Sequence, residues 1–222
     1  MGDVSQPADY VCQHVRTRWV SRTMSERFFD VVHRQRACRQ YLDQPVADAL
    51  LDRVLSAATQ APSGENGQPW EFIVIREPQA RAKIGELMLR AWSSGARQWS
   101  EQRLAPALLD DVDAGMHGGI AGAPVLIAAC VDLDRATEST IGSSMFPAIQ
   151  NLLLAATALG LGSALTTIAT SFHEPLGALL ALPDSVRVVA IIPIGWPARA
   201  LGPPRRDPAS AHTHRETYGG SW

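Results

Sequence analysis

The chain has few cysteines, and they form no recognisable pattern. Three occur in 222 residues, Cys12, Cys38 and Cys130, and none belongs to a CxxC pair. Cysteines that are odd in number and widely spaced indicate neither a disulfide framework nor a zinc site. The sequence therefore predicts a cytoplasmic protein, in a reducing compartment, that depends on its own hydrophobic core.

An excess of charge and a long apolar run are also missing. The formal net charge is −2, so the sequence indicates no electrostatic attraction to nucleic acid or to an anionic membrane. No window approaches the roughly 20 apolar residues that a bilayer span needs, and the start MGDVSQPADY lacks the regions of a secretory leader. We expect a soluble, unprocessed protein whose partner is a small molecule or another protein.

The sequence does have enough apolar residues for one core. Apolar side chains make up 46% of the chain, which at this length favours a single domain. Helical periodicity is present in four segments, at residues 24–36, 43–58, 144–159 and 174–182. Short apolar runs predict buried strands at 71–75, 124–132 and 186–194, with a short edge at 163–167. This alternation predicts an α+β or α/β sandwich with helices against a modest sheet.

The remaining segments are less regular. Residues 78–103 predict a helical excursion broken at Ser93–Gly95, and residues 104–122 predict a mobile connection that covers a site. Residues 1–23 form an arm to which no function is assigned, and residues 209–222 form a polar tail. The predicted domain spans residues 24–208.

One loop, APSGENGQPW at residues 61–70, joins a predicted helix to a predicted strand. Its prolines restrict the backbone, and Gly64 and Gly67 would let that backbone approach a ligand closely. An ordinary surface turn is the alternative interpretation of such a cluster.

Several familiar catalytic patterns are not supported. GLGSAL at residues 160–165 follows a helix and lacks the third glycine of a dinucleotide fingerprint, so it indicates a helix end. His212 and His214 lack further ligands at metal-binding spacing, so no metal is predicted. Cys38 reads as a buried structural thiol. The adjacent Asp110 and Asp111 read as a solvated turn.

Arginines at both ends of the chain suit a phosphate. Arg36 and Arg39 follow a predicted helix, and Arg205 and Arg206 lie in the C-terminal region. A guanidinium offers paired charged donors to phosphate oxygens, although solvated arginines are the simpler interpretation. Together with a small-residue loop that could lie against a planar ring, they suggest a flavin mononucleotide.

Four stretches in order carry a resemblance to a known family: QRACRQYL at 35–42, APSGENGQPWEFIVI at 61–75, PAIQNLLLAATALGLGSALTT at 147–167, and IPIGWP with GPPRRDP within 192–207. Over roughly residues 30–208 the chain resembles the FMN-dependent nitroreductase family. The resemblance implies an α+β sandwich with a central mixed sheet flanked by helices. It also implies an intertwined homodimer with two FMN molecules at the subunit interface, whose centre would include the apolar helix at 146–159.

The resemblance also implies which residues bind FMN, and it implies no catalytic side chain. The phosphate would be bound by Arg36, Arg39 and the Ala37 backbone, together with Arg206 or its neighbour Arg205. The isoalloxazine would be contacted by Leu165, Thr166 and Thr167, with a backbone N–H near Thr167 directed at N5, and by Pro62, Ser63, Gly64 and Asn66 of the partner subunit. Family members often have two adjacent arginines and a serine where this chain has Gln35, Arg36 and Ala37, so one phosphate ligand is either absent or supplied by Arg34.

The activity implied is hydride transfer from NADH or NADPH through flavin N5 to nitroaromatics, quinones or activated alkenes in a ping-pong cycle. A specialised family member, such as a dehydrogenase, a dehalogenase or a flavin-consuming enzyme, is one alternative. A flavin-binding or flavin-storing protein with little turnover is another. The excursion from Trp92 to Met116 would form the wall that selects acceptors, or else it is a plain helical hairpin.

Overall fold

The computed structural model describes residues 22–222, with side chains from Arg27 onward. The predicted N-terminal arm, residues 1–23, lies almost wholly outside the described residues. Within the described part, no helix combines the length and the hydropathy needed to cross a bilayer.

Seven α-helices and four strands make up the regular structure of residues 22–222. The helices are α1 Arg22–Arg34, α2 Asp48–Ala58, α3 Pro78–Ala91, α4 Arg97–Glu101, α5 Pro106–Ala114, α6 Glu138–Ala158 and α7 His173–Leu180. The strands are β1 Trp70–Ile75, β2 Val125–Asp132, β3 Gly162–Ser163 and β4 Val186–Gly195. Single 3₁₀ turns occur at Gly64–Asn66, Ile168–Ser171 and Ala209–His212, and π-helical turns at Trp92–Ala96 and Gly115–Gly119.

The four strands form one sheet in the order β1-β2-β4-β3, and every pair of neighbouring strands is antiparallel. A mixed sheet was expected, but its parallel component among the described residues is limited to one bridge between Ala37 and Ser163. That bridge brings the segment after α1 against the short strand β3.

Both faces of the sheet are covered by helices, which confirms the sandwich. Along β2, residues 125, 127, 129 and 131 point into a core formed with α2 and α6, while residues 126, 128 and 130 point into a second core with α3, α5 and α7. Strand side chains alternate between faces, so a strand that is buried on both sides must be apolar throughout. This is why the run at 124–132 shows no polar alternation.

Helix α6 is longer than predicted. It begins at Glu138 instead of Ser144, so Pro147 lies inside the helix and not in its first turn. The Thr137 N–H, just before the helix, donates to Thr140 Oγ1 at 3.1 Å, which caps this earlier start. The helix ends as predicted, with Gly160 at φ 79° and the Leu161 N–H donating to the Ala156 carbonyl.

The segment at 104–122 contains regular structure, where the sequence indicated an irregular connection. It contains α5 and the π turn Gly115–Gly119, and Leu109, Met116 and Ile120 are buried in the second core. Arg81 of α3 donates to the carbonyls of Ala121 and Ala123, which fixes the end of the segment. The many glycines and acidic residues of this segment made the three apolar residues that face the second core hard to identify from the sequence.

Two cysteines are buried structural thiols. Cys38 is 2% exposed and Cys130 is fully buried. Burial raises the pKa of the Cys38 thiol, and it raises the pKa of Cys130 from 9.0 to about 12. The raised values confirm the structural interpretation of Cys38, because a thiol held in its neutral form is a poor nucleophile.

Thiol burial predicts two results. In a Cys12→Ser variant, an aromatic disulfide reagent at pH 8 should label the folded protein slowly and label two thiols rapidly after unfolding. Burial raises the pKa of Cys130 in the folded protein. The contribution of this thiol to the free energy of unfolding should therefore be complete below pH 9 and be lost as the pH rises toward 12. Urea titrations at increasing pH measure the second effect. Rapid labelling of both thiols in the folded state would contradict this burial.

Candidate active site

A cavity of about 330 Å³ lies between the helical excursion and the segment that follows β3. Aromatic and apolar side chains dominate its lining, and Arg39 is the one charged residue among those lining it. The lining residues are Arg39, Trp92, Ala96, Trp99, Ser100, Val112, Met116, Ile120 and residues 164–168. A larger cavity of about 440 Å³ beside α7 and β4 contains none of the predicted site residues.

The excursion supplies one wall. The indole of Trp92 is 3% exposed, whereas Trp99 is 60% exposed at the same cavity. Between them, Gly95 has φ 128°, a conformation that L residues rarely adopt, and it breaks the helix between α3 and α4. Such π-helical irregularities often mark functional sites.

The opposite wall is the segment from Ala164 to Ile168. Thr166 exchanges two backbone hydrogen bonds with Ile191 of β4, at 3.0 and 2.9 Å, so this segment is held against the sheet. The predicted residues Leu165, Thr166 and Thr167 all line the cavity. Among residues 22–222, the Thr167 N–H has no hydrogen-bond acceptor, so this donor is available to a ligand.

Arg39 is held in place by a carboxylate and two glycines. Its Nη1 lies 2.7 Å from Asp111 Oδ2, and Arg199 Nη2 lies 3.0 Å from Asp111 Oδ1. A Cβ at Gly119 would lie 2.3 Å from the Arg39 carbonyl oxygen, and one at Gly115 would lie 2.9 Å from Arg39 Cδ. The two glycines therefore allow the π turn to lie directly on Arg39, and Asp111 is an ion-pair partner and not a solvated turn residue.

The other predicted phosphate ligands lie near the C-terminal region. Arg36 Nη1 donates to the Gly202 carbonyl at 3.0 Å, which brings the two ends of the predicted domain together. Arg205 and Arg206 follow shortly after and are exposed. Arg34 instead forms a 2.7 Å ion pair with Asp30.

A buried hydroxyl lies between these two groups of residues. Ser163 is 2% exposed, and its Oγ has no hydrogen-bond partner in the described part of the chain. Ser163 forms the bridge to Ala37 and immediately precedes the cavity segment. Because buried hydroxyls normally have a partner, this oxygen indicates a water or a ligand atom nearby.

The loop Pro62–Asn66 does not line the cavity of its own chain. It packs on α6, where the Gly64 N–H donates to Ser144 Oγ at 3.1 Å. A Cβ at Gly64 would lie 2.9 Å from Thr140 Cγ2, and one at Gly67 would lie 2.5 Å from the Arg135 carbonyl oxygen. Packing within the chain therefore already requires a glycine at each of these positions.

The unusual backbone of this loop belongs to other residues. Glu65, Asn66 and Gln68 have φ values of 54°, 56° and 48°. Non-glycine residues in this region carry strain and often occur at functional sites.

The structure thus gathers Arg39 and Leu165–Thr167 at one cavity, and it places Arg36 and Ala37 on the adjoining segment. Sequence reasoning misinterpreted Asp111 and missed Arg199 and Asp113, whose carboxylate accepts a hydrogen bond from Trp92. The helical spacing could have indicated separate partners for these two acids, because it places Asp111 and Asp113 on different sides of α5.

The fold and the cavity define an α+β protein with a sheet between two helical layers and an arginine beside an aromatic pocket. A profile described as the nitroreductase family matches residues 32–196. The chain belongs to the nitroreductase family.

Relatives and solved structures agree with this assignment. The chain is 30% identical over 177 residues to a Methanothermobacter thermautotrophicus protein described as an NADH dehydrogenase/NAD(P)H nitroreductase, with 78% of each chain covered. It is 28% identical to the FMN reductase [NAD(P)H] of Bacillus subtilis, covering 82% of this chain and 71% of the relative. A Desulfovibrio desulfuricans protein described as a nitroreductase and solved with FMN has a TM-score of 0.65 at 27% identity, covering 86% and 97%.

Proposed function

We propose that this protein is an FMN-dependent oxidoreductase that uses NADH or NADPH to reduce nitroaromatics, quinones or activated alkenes in a ping-pong cycle. The observation that carries the proposal is the cavity walled by Trp92 and Trp99, which is lined by Arg39 and by Thr167, whose N–H has no acceptor among residues 22–222. Membership of the nitroreductase family and the names of its relatives support the cofactor and the reductant.

The residues near the cavity fit FMN in both charge and hydrogen bonding. Arg36 and Arg39 each use Nη1 in the bonds described above, which leaves further N–H donors on each guanidinium for a phosphate. No carboxylate lines the cavity, and the buried Ser163 Oγ still needs a partner. We assign the phosphate to Arg36, Ala37, Arg39, Arg205 and Arg206.

The segment at 165–167 would contact the isoalloxazine ring of FMN. Thr166 is fixed to β4, so Leu165 and Thr167 on either side have defined positions from which to contact a planar group. The Thr167 N–H would donate to the ring edge. Placing a fixed dipole and a cation near a group that gains negative charge on reduction favours that reduced form.

The remaining contacts require a second subunit. Pro62, Ser63, Gly64 and Asn66 are proposed to reach the cavity of the partner subunit, because in their own chain they lie on α6. Apolar side chains are exposed on α1 and α6, with Phe28 58%, Phe29 60% and Phe146 44% exposed. A homodimer would bury this surface, since exposed apolar patches commonly mark interfaces.

When bound, FMN would supply the hydride-transfer chemistry between the nicotinamide and the electron acceptor. The chain's own contribution is placement: arginines neutralise the phosphate, Thr167 donates to the ring, and Trp92 and Trp99 limit access. No side chain of the cavity is required as a general acid or base. The excursion from Trp92 to Met116 would then determine which acceptors can react.

Anaerobic titration tests the proposal. The purified protein should be yellow, should bleach with NADH or NADPH, and should recover its absorbance when a nitroaromatic or a quinone is added. Measuring both nicotinamides in parallel identifies the preferred reductant.

The other outcomes separate the alternatives. Bound flavin that neither nicotinamide reduces would favour a specialised family member or a flavin-storing protein. Colourless protein that cannot be reconstituted with FMN would overturn the proposal and both alternatives.

A further inference from the structure

Asp113 joins the two irregular parts of the cavity wall. Its Oδ1 accepts a hydrogen bond from Trp92 Nε1 at 2.7 Å and another from Arg97 Nε at 3.1 Å. On its other side, His117 Nδ1 lies 2.8 Å from the Asp113 carbonyl oxygen and 3.6 Å from Asp113 Oδ2. One residue of α5 therefore contacts both π turns, Trp92–Ala96 and Gly115–Gly119.

The two glycines with positive φ in these turns, Gly95 and Gly118, are not packed against other residues. Gly95 and Gly118 have φ values of 128° and 120°, and a Cβ at either would meet nothing within 4 Å. Glycine makes these conformations accessible but does not favour them over others. Contacts beyond these two glycines must therefore select the position of the wall, and Asp113 supplies one for each turn.

Asp113 is connected to the cavity through Trp92. The indole lines the cavity and is 3% exposed, whereas Asp113 is not among the lining residues. A buried indole N–H needs an acceptor, so the position of the ring and its bond to Asp113 are linked. The hydrogen bond from Trp92, followed by that from Arg97, lowers the pKa of the Asp113 carboxyl.

We propose that Asp113 is a positioning residue for acceptor selection: by binding Trp92 Nε1 it fixes the indole and so sets the width of the cavity available to the electron acceptor. The proposal rests on the proposed function of this cavity. Asp113 itself does not touch the acceptor. Its removal should therefore affect discrimination between acceptors more than binding of FMN, whose proposed ligands lie on the opposite wall and beyond.

The test uses FMN-loaded protein and a double-mutant cycle with Asp113→Ala, Trp92→Phe and the double variant. Steady-state kinetics are measured with a narrow acceptor, 1,4-benzoquinone, and a wide one, menadione. Asp113→Ala should raise the KM of the narrow acceptor about tenfold and shift the ratio of kcat/KM toward the wide acceptor. Trp92→Phe should have a similar effect, and the double variant should add little, because both substitutions remove the same hydrogen bond.

Two further variants separate positioning from a general structural role. Asp113→Asn keeps an oxygen that can accept from the indole, so its KM should stay within about threefold of the original value. Asp110→Ala is the matched control: Asp110 lies on the same helix, is exposed, and has no hydrogen-bond or ion-pair partner among residues 22–222. It should leave both acceptors unaffected.

The proposal would be overturned if the two substitutions changed KM independently, so that their effects multiplied in the double variant. Equal losses of kcat/KM for both acceptors would also overturn it. So would an effect of Asp110→Ala equal to that of Asp113→Ala. Tryptophan fluorescence keeps the test independent of the activity. Asp113→Ala should change the emission and its quenching by acrylamide, and this change should vanish in the Trp92→Phe background. If neither nicotinamide reduces the protein, the proposed function fails while this fluorescence result still decides whether Asp113 holds the indole.

Discussion

Asp111→Ala is expected to lower the free energy of unfolding by about 2–4 kcal/mol, because it leaves Arg39 without its ion-pair partner in a largely enclosed position. The side chains of Arg39 and Asp111 are only 18% and 15% exposed. Urea denaturation at a fixed FMN concentration measures the change, since bound ligand also contributes to the apparent stability.

Two controls separate the contributions at this carboxylate. Arg199→Gln removes the partner that is 58% exposed and should cost at most about 1 kcal/mol, because solvent screens such pairs. Asp110→Asn changes the neighbouring exposed acid and should stay within about 0.5 kcal/mol. An Asp111→Ala variant as stable as the original protein would show that α5 is held mainly by its apolar contacts.

Mixing two inactive variants is expected to restore activity if the loop Pro62–Asn66 serves the partner subunit. Pro62→Trp places a large ring at a position that is exposed in its own chain, and it should block the cavity that the loop contacts. Thr167→Pro removes the N–H that has no acceptor within the described chain, so it should weaken FMN binding without breaking an internal hydrogen bond. Each variant alone should lose at least about tenfold in activity.

Co-expression distinguishes a site shared between subunits from a site within one chain. In a mixed dimer, one site would carry both substitutions and the other neither. A random mixture contains mixed dimers as half of its population, so roughly a quarter of the original activity should return. Activity that stays at the level of the single variants would show that the loop acts in its own chain, or that the protein does not form the expected dimer.

Most of the sheet and much of the cavity were predictable from the sequence. The strands at 71–75, 124–132 and 186–194 are present with boundaries shifted by no more than one residue. Leu165, Thr166 and Thr167 were identified because GLGSALTT resembles the family in sequence, and all three line the cavity. Their role in binding FMN remains a prediction. The same holds for the proposed FMN contacts of the arginines and of the loop Pro62–Asn66.

The boundaries of the helices were less predictable. Helix α2 begins at Asp48, not near Asp43, although Val46 ahead of it is still buried at 1% exposure. Helix α6 begins before Pro147, because the bond between Thr137 and Thr140 caps an earlier turn that the proline had seemed to exclude. Local signals of this kind compete, and tertiary packing decides which one prevails.

The sequence by itself determined the family and the apolar strands, because these follow from composition and from ordered local patterns. Only the tertiary structure decided the partners of the charged and aromatic side chains. Arg39 and Asp111 are 72 positions apart, and Trp92 and Asp113 are 21 apart. Such pairs depend on how α5 is rotated and on two glycine kinks that bring it over Arg39, and no local pattern in the chain encodes that rotation.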